Sequence, residues 1–198
     1  MSDGTVPFEK VQQLVLDLAK VRRNHRMPGD ERRENVVEHS FAIAMLSWKM
    51  FEMVRPPLSL EKVLKYALIH DSLERGMEYD VNTYAGDAER KAKKERESKE
   101  LESLNREFAD FPGFTSALDG YEERKDEEAL FVWSVDKLQA KILGGMDGWR
   151  PYRLYGVSYD DFCRKGEEQL GKCSPYLKEI YREVFEASKK TYYDRPKN

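Results

Sequence analysis

Apolar residues recur at intervals of three and four along most of this chain, and this spacing constrains the fold more than any other feature. Such a period places the apolar side chains on one face of an α-helix. It predicts helices at residues 8–21, 35–54, 60–74, about 124–143, 159–170 and 175–189, and the charged stretch 88–108, laced with glutamate and lysine, indicates a seventh. The apolar-polar alternation of a half-buried strand never persists long enough to make a sheet. We therefore predict an all-α bundle of about six to seven helices.

The length of the chain bounds its domain organisation. Its 198 residues suit one compact domain with a substantial core. We expect a single domain over residues 1–198, with a core at 8–145, C-terminal helices at 159–189 and a short tail at 190–198. Charged residues make up 36% of the chain, but like charges occur in short runs of mixed sign, which favours a folded protein over a disordered one.

Charge and composition exclude several classes of partner. The formal net charge of -3 argues against a surface for duplex nucleic acid. Cys163 and Cys173 do not form a C-x-x-C pair, and two cysteines in a chain of this size indicate a reducing compartment. The start MSDGTVPFEK lacks the pattern of a signal peptide, and no apolar stretch approaches the ~20 residues that span a bilayer. We expect a cytoplasmic protein without a membrane or duplex nucleic-acid partner.

Three of the predicted helices place histidine or aspartate on the face that should meet the core. His39 lies within the apolar stripe of the second helix, and Asp136 lies within that of the fifth. His70, Asp71 and Glu74 continue the stripe of the third. An unpartnered carboxylate in an apolar setting costs several kcal/mol. The pattern therefore predicts a cation among these side chains.

Two imidazoles and two carboxylates, those of His39, His70, Asp71 and Asp136, are a suitable ligand set for one divalent metal ion. The mixture of nitrogen and oxygen suits Mn, Fe, Co, Ni or Zn better than Ca or Mg. Four protein ligands or fewer leave positions for water, which is typical of a catalytic site. Each residue alone has a plainer interpretation, a hydrogen-bonded helix histidine or a salt-bridged aspartate, but the joint pattern favours the metal.

Three segments resemble the signatures of the HD-domain metal-dependent phosphohydrolases, in the order H…HD…D: RRENVVEHSFAIAML, ALIHDSLE and VWSVDKLQAKI. The first two, with the loop DVNTYAGDAERKAKKERE, are most similar to the 5'-deoxynucleotidase branch. The resemblance covers roughly residues 8–145. It implies an all-helical domain that holds one divalent ion through the four ligands above. It also implies hydrolysis of (deoxy)nucleoside 5'-monophosphates to nucleoside and phosphate.

The resemblance assigns roles to further residues. Glu74 handles or orients the attacking water, and Asp80 is the second catalytic carboxylate, near the leaving oxygen. The gap between these carboxylates is one residue longer than usual, so Asp87 is an alternative to Asp80. Arg23 is the counterpart of an arginine that binds phosphate or sugar, although no tryptophan follows it, and a solvated surface arginine is the alternative. Arg33 is a second substrate-binding candidate.

Other cations and other functions stay open at this stage. Lys137 and a lysine of residues 91–94 are further candidates to face phosphate oxygens. A deoxynucleoside triphosphate triphosphohydrolase would use the same residues and release tripolyphosphate. A non-catalytic nucleotide-binding HD module is the alternative outside the enzymes. Members of the family are often dimeric, so a homodimer is one expected assembly alongside the nucleotide substrate.

Overall fold

The computed structural model describes residues 8–77 and 86–194. These residues form nine α-helices, and the helices are α1 (Glu9–Leu18), α2 (Val36–Val54), α3 (Leu60–Ile69), α4 (Asp87–Glu107), α5 (Pro112–Glu122), α6 (Glu127–Met146), α7 (Arg150–Leu154), α8 (Tyr159–Lys172) and α9 (Lys178–Thr191). One antiparallel pair joins β1 (Arg22–Arg26) to β2 (Arg33–Asn35). Short 3-10 helices lie at Ser72–Glu74 and Pro175–Leu177. The all-α prediction is confirmed, with more helices than expected.

Helix α6 is central, since it contacts α2, α3, α7 and α9. Apolar residues occupy most of its circumference, and Phe131, Val132, Val135 and Leu138 are fully buried. A helix that is apolar on nearly all sides is stable only inside a protein. Asp136 lies on this helix, so the fold takes its carboxylate into the interior.

The hairpin β1–β2 corrects the expectation that the chain contains no sheet. Its strands have five and three residues, and they consist almost wholly of charged and polar side chains. The backbone hydrogen bonds between two such short strands contribute little stability, and an isolated hairpin is only marginally stable in water. The side chains that it sends into the interior, described below, supply the missing stabilisation.

Helix α2 follows the hairpin at once and has a well-defined start. The Asn35 side chain accepts a hydrogen bond from the Glu38 backbone amide, and the Glu38 carboxylate accepts one from the Asn35 amide, both at 3.0 Å. This reciprocal arrangement is a capping box, and it satisfies two amides that the first helical turn leaves without partners. It fixes the first turn of α2, and His39 follows directly.

The third helix is shorter than its apolar pattern predicts. The regular α-helix ends at Ile69, Asp71 has φ and ψ of -107° and 17°, and a 3-10 turn continues the chain to Glu74. The prediction of one continuous helix over residues 60–74 is therefore wrong at its end. His70, Asp71 and Glu74 lie on a tightening turn rather than on one straight helical face.

Two helices appear where the sequence pattern predicted none. α5 begins at Pro112, and proline is favoured in the first helical turn because its missing amide has no partner there in any case. α7 is a five-residue helix that follows Gly148 and Trp149, both of which have positive φ. Helix α7 packs against β1 of the hairpin.

The C-terminal helices pack through aromatic rings. The rings of Phe162 and Tyr192 stack with centroids 4.2 Å apart, and Trp149 packs edge-on against Phe162. Helix α8 approaches α9 closely at Gly166, where an added Cβ would lie 2.1 Å from the Phe185 ring. Glycine is therefore required at this crossing by the space that the ring occupies.

One face of the protein exposes large apolar side chains. Phe41, Met45 and Trp48 recur at helical spacing along α2, and Leu68 of α3 and Val15 of α1 are also exposed. Phe41, Leu68 and Val15 border a groove of about 470 Å³. Contiguous apolar patches of this kind are uncommon on monomeric proteins and mark interaction surfaces. Within residues 8–77 and 86–194, no helix combines the length and apolar character needed to cross a membrane.

Candidate metal centre

Three of the predicted metal ligands converge in the interior. One donor atom from each of His39, His70 and Asp136 lies within 4.8 Å of the other two. The two histidine Nε2 atoms are 3.1 Å apart, and His39 Nε2 lies 3.2 Å from Asp136 Oδ1. All three residues are buried. Helices α2 and α6 and the end of α3 thus bring their polar side chains to one point.

The fourth predicted ligand, Asp71, lies beside this group. Its Oδ2 is 3.5 Å from His39 Nε2 and 3.4 Å from His70 Nε2. The turn after α3 makes this possible, because it swings the Asp71 carboxylate back toward the imidazole of the preceding residue. All four ligands that the sequence predicts therefore lie together.

A hydrogen bond orients the His70 imidazole, and the Glu34 carboxylate lies beside the His39 imidazole. His70 Nδ1 lies 2.9 Å from the Ala67 carbonyl oxygen, which can only accept, so Nδ1 carries the proton and Nε2 keeps its lone pair. His39 Nδ1 lies 3.5 Å from Glu34 Oε2, while Gln139 donates to Glu34 Oε1 at 3.1 Å. Metal-binding histidines are commonly oriented in this way through the ring nitrogen that does not bind the metal.

Arg23 of β1 reaches the centre from the hairpin. Its guanidinium forms an ion pair with Asp71 and lies 3.8 Å from Glu74 and 4.0 Å from Asp136. Its Nε is 3.7 Å from Glu34. The side chain is only 11% exposed, so the alternative of a solvated surface arginine does not describe it. The structure places this predicted phosphate-binding residue beside the ligands.

The carboxylates of the centre are held in their ionised form. Burial disfavours ionisation of Asp71, but the neighbouring His70 imidazole and the Arg23 guanidinium outweigh it and hold its pKa well below the usual range. Burial likewise opposes ionisation of Asp136, and Lys137, which donates to Asp136 Oδ2 at 2.5 Å, lowers its pKa. Metal ligands must be deprotonated, so both carboxylates are in the state that binds a cation.

The donor set fits a divalent ion. His39 Nε2 lies 3.2 Å from an oxygen of Asp136 and 3.5 Å from one of Asp71, and His70 Nε2 lies 3.4 Å from the same Asp71 oxygen. Arg23 is the cation that these carboxylates share in this structure. The mixed nitrogen and oxygen chemistry matches the first-row metals that the sequence predicts, and it selects none of them individually.

Glu74 lies beside these residues and forms its hydrogen-bonded ion pair with Lys93. It is 2% exposed, and Lys93 of α4 donates to its Oε1 at 2.8 Å. Lys93 belongs to the lysine run 91–94, so the charged helix α4 contributes one of its lysines to the centre. Glu74 is thus positioned by Lys93 on one side and Arg23 on the other.

Three predicted residues remain: Arg33, Asp80 and Asp87. Arg33 faces a different cleft, formed by the outer side of the hairpin and α7. Asp80 lies outside the described residues. Asp87 is the first residue of α4, and its side chain is not among those described. The roles of these three residues stay predictions.

Sequence reasoning missed Glu34, which contacts the centre, and His25, which lies on the same strand as Arg23. Glu34 is 3% exposed and lies close to both Arg23 and His39. The sequence feature that could have identified Glu34 is its place directly before Asn35 in the first signature segment. His25, on β1, packs edge-on against Tyr152, and burial together with the charge of Arg23 lowers its pKa to about 4. Nothing in the polar stretch around His25 distinguished it.

Comparison with known families and structures gives a consistent result. A family model described as HD domain matches residues 17–178, which includes the four ligands and extends into α9. No curated protein matches this chain. The matched region therefore reaches beyond the 8–145 core expected from the sequence motifs.

Several solved structures share the fold. A protein from Magnetospirillum magnetotacticum MS-1, described as a predicted metal-dependent phosphohydrolase, is 22% identical, with a TM-score of 0.74 over 95% of this chain and 96% of its own. A protein from Pyrococcus horikoshii OT3 is 25% identical, with a TM-score of 0.62 over 90% of this chain and 98% of its own. A conserved hypothetical protein from Pyrococcus furiosus is 24% identical, with a TM-score of 0.60 over 89% and 98%. These similarities show the fold.

Proposed function

The chain belongs to the HD-domain family, and on that premise we propose that it is a metal-dependent phosphohydrolase acting on (deoxy)nucleoside 5'-monophosphates. The observation that carries the proposal is the convergence of His39, His70, Asp71 and Asp136 on one point, with Arg23 beside them. The similar protein from Magnetospirillum magnetotacticum MS-1, described as a predicted metal-dependent phosphohydrolase, supports the reaction class. The monophosphate substrate rests on the sequence resemblance to the 5'-deoxynucleotidase branch.

The four ligands would hold one divalent ion. When bound, such an ion supplies a Lewis acid that polarises a phosphate oxygen and acidifies water. His70 is already in the tautomer that this requires, because the Ala67 carbonyl holds the proton on Nδ1. The remaining steps are assigned to the protein's own side chains.

Arg23 binds the substrate phosphate in this proposal. In this structure its guanidinium is shared among carboxylates, and at 3.8–4.0 Å the contacts to Glu74 and Asp136 are looser than hydrogen bonds. A phosphate that enters the centre offers it a bidentate partner. A guanidinium there offsets charge on the equatorial oxygens in the transition state, and Lys137 adds a second cation from α6.

Glu74 accepts the proton of the attacking water. It is buried next to the predicted ligands, Lys93 donates to its Oε1, and Arg23 lies 3.8 Å from its Oε2, so the carboxylate is held within reach of the centre. Asp80 or Asp87 assists departure of the 5' oxygen as the second carboxylate. Both follow Glu74 along the chain, Asp80 by six residues and Asp87 by thirteen.

Replacing Asp71 with alanine tests the proposal. Bound metal and phosphate release from deoxynucleoside monophosphates are measured together, and both are expected to fall, the rate by about 100-fold or more. Asp110→Ala is the matched control, since its carboxylate is well exposed and lies 3.7 Å from Lys10. Undiminished turnover in Asp71→Ala would overturn the mechanism.

A second variant separates the metal from the base. Glu74→Gln keeps the shape of the side chain and should retain the bound metal while turnover falls by about 100-fold. Loss of the metal in this variant would mean that Glu74 is itself a ligand.

Two alternatives are distinguished by their products. A triphosphohydrolase attacks the α-phosphorus, so dAMP and dATP offered side by side would release tripolyphosphate from dATP. A non-catalytic module would bind nucleotide tightly without turnover across several added metals. A cytoplasmic location also stays a prediction.

A further inference from the structure

The hairpin β1–β2 borders a second cleft on the side opposite the metal centre. The cleft has a volume of about 400 Å³, and α7 forms its other wall. Side chains alternate between the two faces of a strand, so Glu34 reaches the metal centre while its neighbour Arg33 lines the cleft. None of the four predicted metal ligands lines this cleft.

The cleft carries an excess of positive charge. Four arginines from three segments line it: Arg26, Arg33, Arg150 and Arg153. Their ion-pair partners include the carboxylates of Glu31 and Asp147. A concave surface with such an excess concentrates anions, and guanidinium groups match phosphate oxygens in bidentate geometry.

Glu31 already occupies the position of an anion in this cleft. One of its carboxylate oxygens lies 2.5 Å from Arg26 and the other lies 2.8 Å from Arg150, so the carboxylate bridges the two walls. The Glu31 side chain is 80% exposed. Ion pairs this exposed contribute only about 0.2–1 kcal/mol, and a phosphate with more charge can therefore displace the carboxylate.

The walls of the cleft are held in place without Glu31. Tyr155 donates to Asn24 Oδ1 at 2.6 Å, which joins the chain after α7 to β1. Arg150 donates to the Asp30 carbonyl at 2.8 Å and to the buried Asp147 carboxylate at 2.7 Å. A site whose walls are already fixed loses less conformational entropy when a ligand binds.

An apolar surface lies beside the arginines. Pro151 and Leu154 of α7 line the same cleft, and Leu154 is 64% exposed. The ligand class that combines a flat organic group with several phosphates is the nucleotides, and 400 Å³ is within the range of small-molecule sites. We propose that this cleft binds a nucleoside di- or triphosphate, whose phosphates replace the Glu31 carboxylate between Arg26 and Arg150.

Calorimetry on the full chain tests this inference with ADP, ATP, tripolyphosphate and inorganic phosphate as probes. Measurements in a His70→Ala variant, which lacks a metal ligand, separate the cleft from the metal centre. We expect ADP and ATP still to bind His70→Ala. Arg153→Gln should weaken that binding about tenfold or more, since one charge-assisted contact contributes about 1.5–3 kcal/mol. Arg182→Gln, an exposed arginine on α9 paired with Glu179, is the matched control.

Glu31→Gln should change the nucleotide affinity in the opposite direction. It removes the internal anion, so binding should tighten, by up to about fivefold if the exposed pairs contribute their usual energy. Equal affinity in Arg153→Gln and the control, weaker binding in Glu31→Gln, or loss of ADP and ATP binding in His70→Ala would each overturn the proposal. Tripolyphosphate binding as tightly as ATP would overturn its nucleoside part. The inference does not rest on the proposed hydrolysis.

Discussion

Lys141 is buried and donates to the amide oxygen of Gln169, and its replacement by methionine should make the protein more stable. Its Nζ donates to Gln169 Oε1 at 2.6 Å and lies 5.1 Å from the centroid of the Tyr181 ring. Burial, with the charges of Lys137 and Lys165, lowers the pKa of the amine from 10.5 to about 7. Charging this amine in the folded protein is therefore costly.

The pH dependence follows from this difference in pKa. Between pH 7 and pH 10.5 the unfolded chain binds more protons at Lys141 than the folded chain does, so the free energy of unfolding rises with pH across that window. One pKa unit corresponds to about 1.4 kcal/mol, and the contribution of this group between pH 7 and pH 9 is a rise of about 2 kcal/mol. Methionine has a similar shape and no titrating group, so Lys141→Met should remove this rise.

Urea unfolding at pH 7, 8 and 9 measures the effect. The free energy of unfolding of Lys141→Met should exceed that of the parent most at pH 7, and the difference should shrink by about 2 kcal/mol at pH 9. Gln169 keeps a donor in the variant, because Tyr181 also donates to its Oε1 at 2.8 Å. Lys172→Met, at a 64% exposed lysine, is the control and should show no such trend. Parallel pH profiles for Lys141→Met and the parent would refute the reasoning.

Two further predictions concern packing and assembly. Gly166→Ala should destabilise the protein by about 2 kcal/mol in urea unfolding, because its Cβ would meet the Phe185 ring. Gly171→Ala, in the same helix with nothing within 4 Å, should be neutral or stabilising, and equal losses at both glycines would contradict the packing argument. We also propose that a second copy of the chain covers the exposed apolar face, whose five large side chains present on the order of 500 Å², more than half of the roughly 800 Å² that one subunit of a standard interface buries. Sedimentation should show a dimer that Phe41→Glu and Trp48→Glu convert to monomer, and a monomeric parent would disprove it.

The residues that meet at the candidate metal centre could be predicted because they interrupt a strong local pattern. The helical period of α2 and α6 depends on residues close in sequence, and His39 and Asp136 stand out against it. That Asp71 lies near both imidazoles could not be read from the period, since it depends on the turn that ends α3.

The hairpin could not be predicted because its stability comes from distant residues. Its strands have no apolar alternation, and the contacts of Arg23 and Glu34 that hold it against the bundle join it to α2, α6 and the turn after α3. Residues whose role is set by such tertiary contacts give little local signal. The same reason explains why His25 and Glu34 were missed.

The early end of α3 has a consequence for how metal affinity could drift during evolution. The last carbonyl oxygens of a helix receive no hydrogen bond from an amide of the same helix. The Ala67 carbonyl oxygen, in the final turn of α3, accepts a hydrogen bond from His70 Nδ1 instead. A substitution that lengthened α3 by one turn would offer that oxygen a backbone amide and release the imidazole to rotate. In the proposed metal site, the strength of ion binding would thereby depend on backbone geometry at Ala67, which is not one of the predicted ligands.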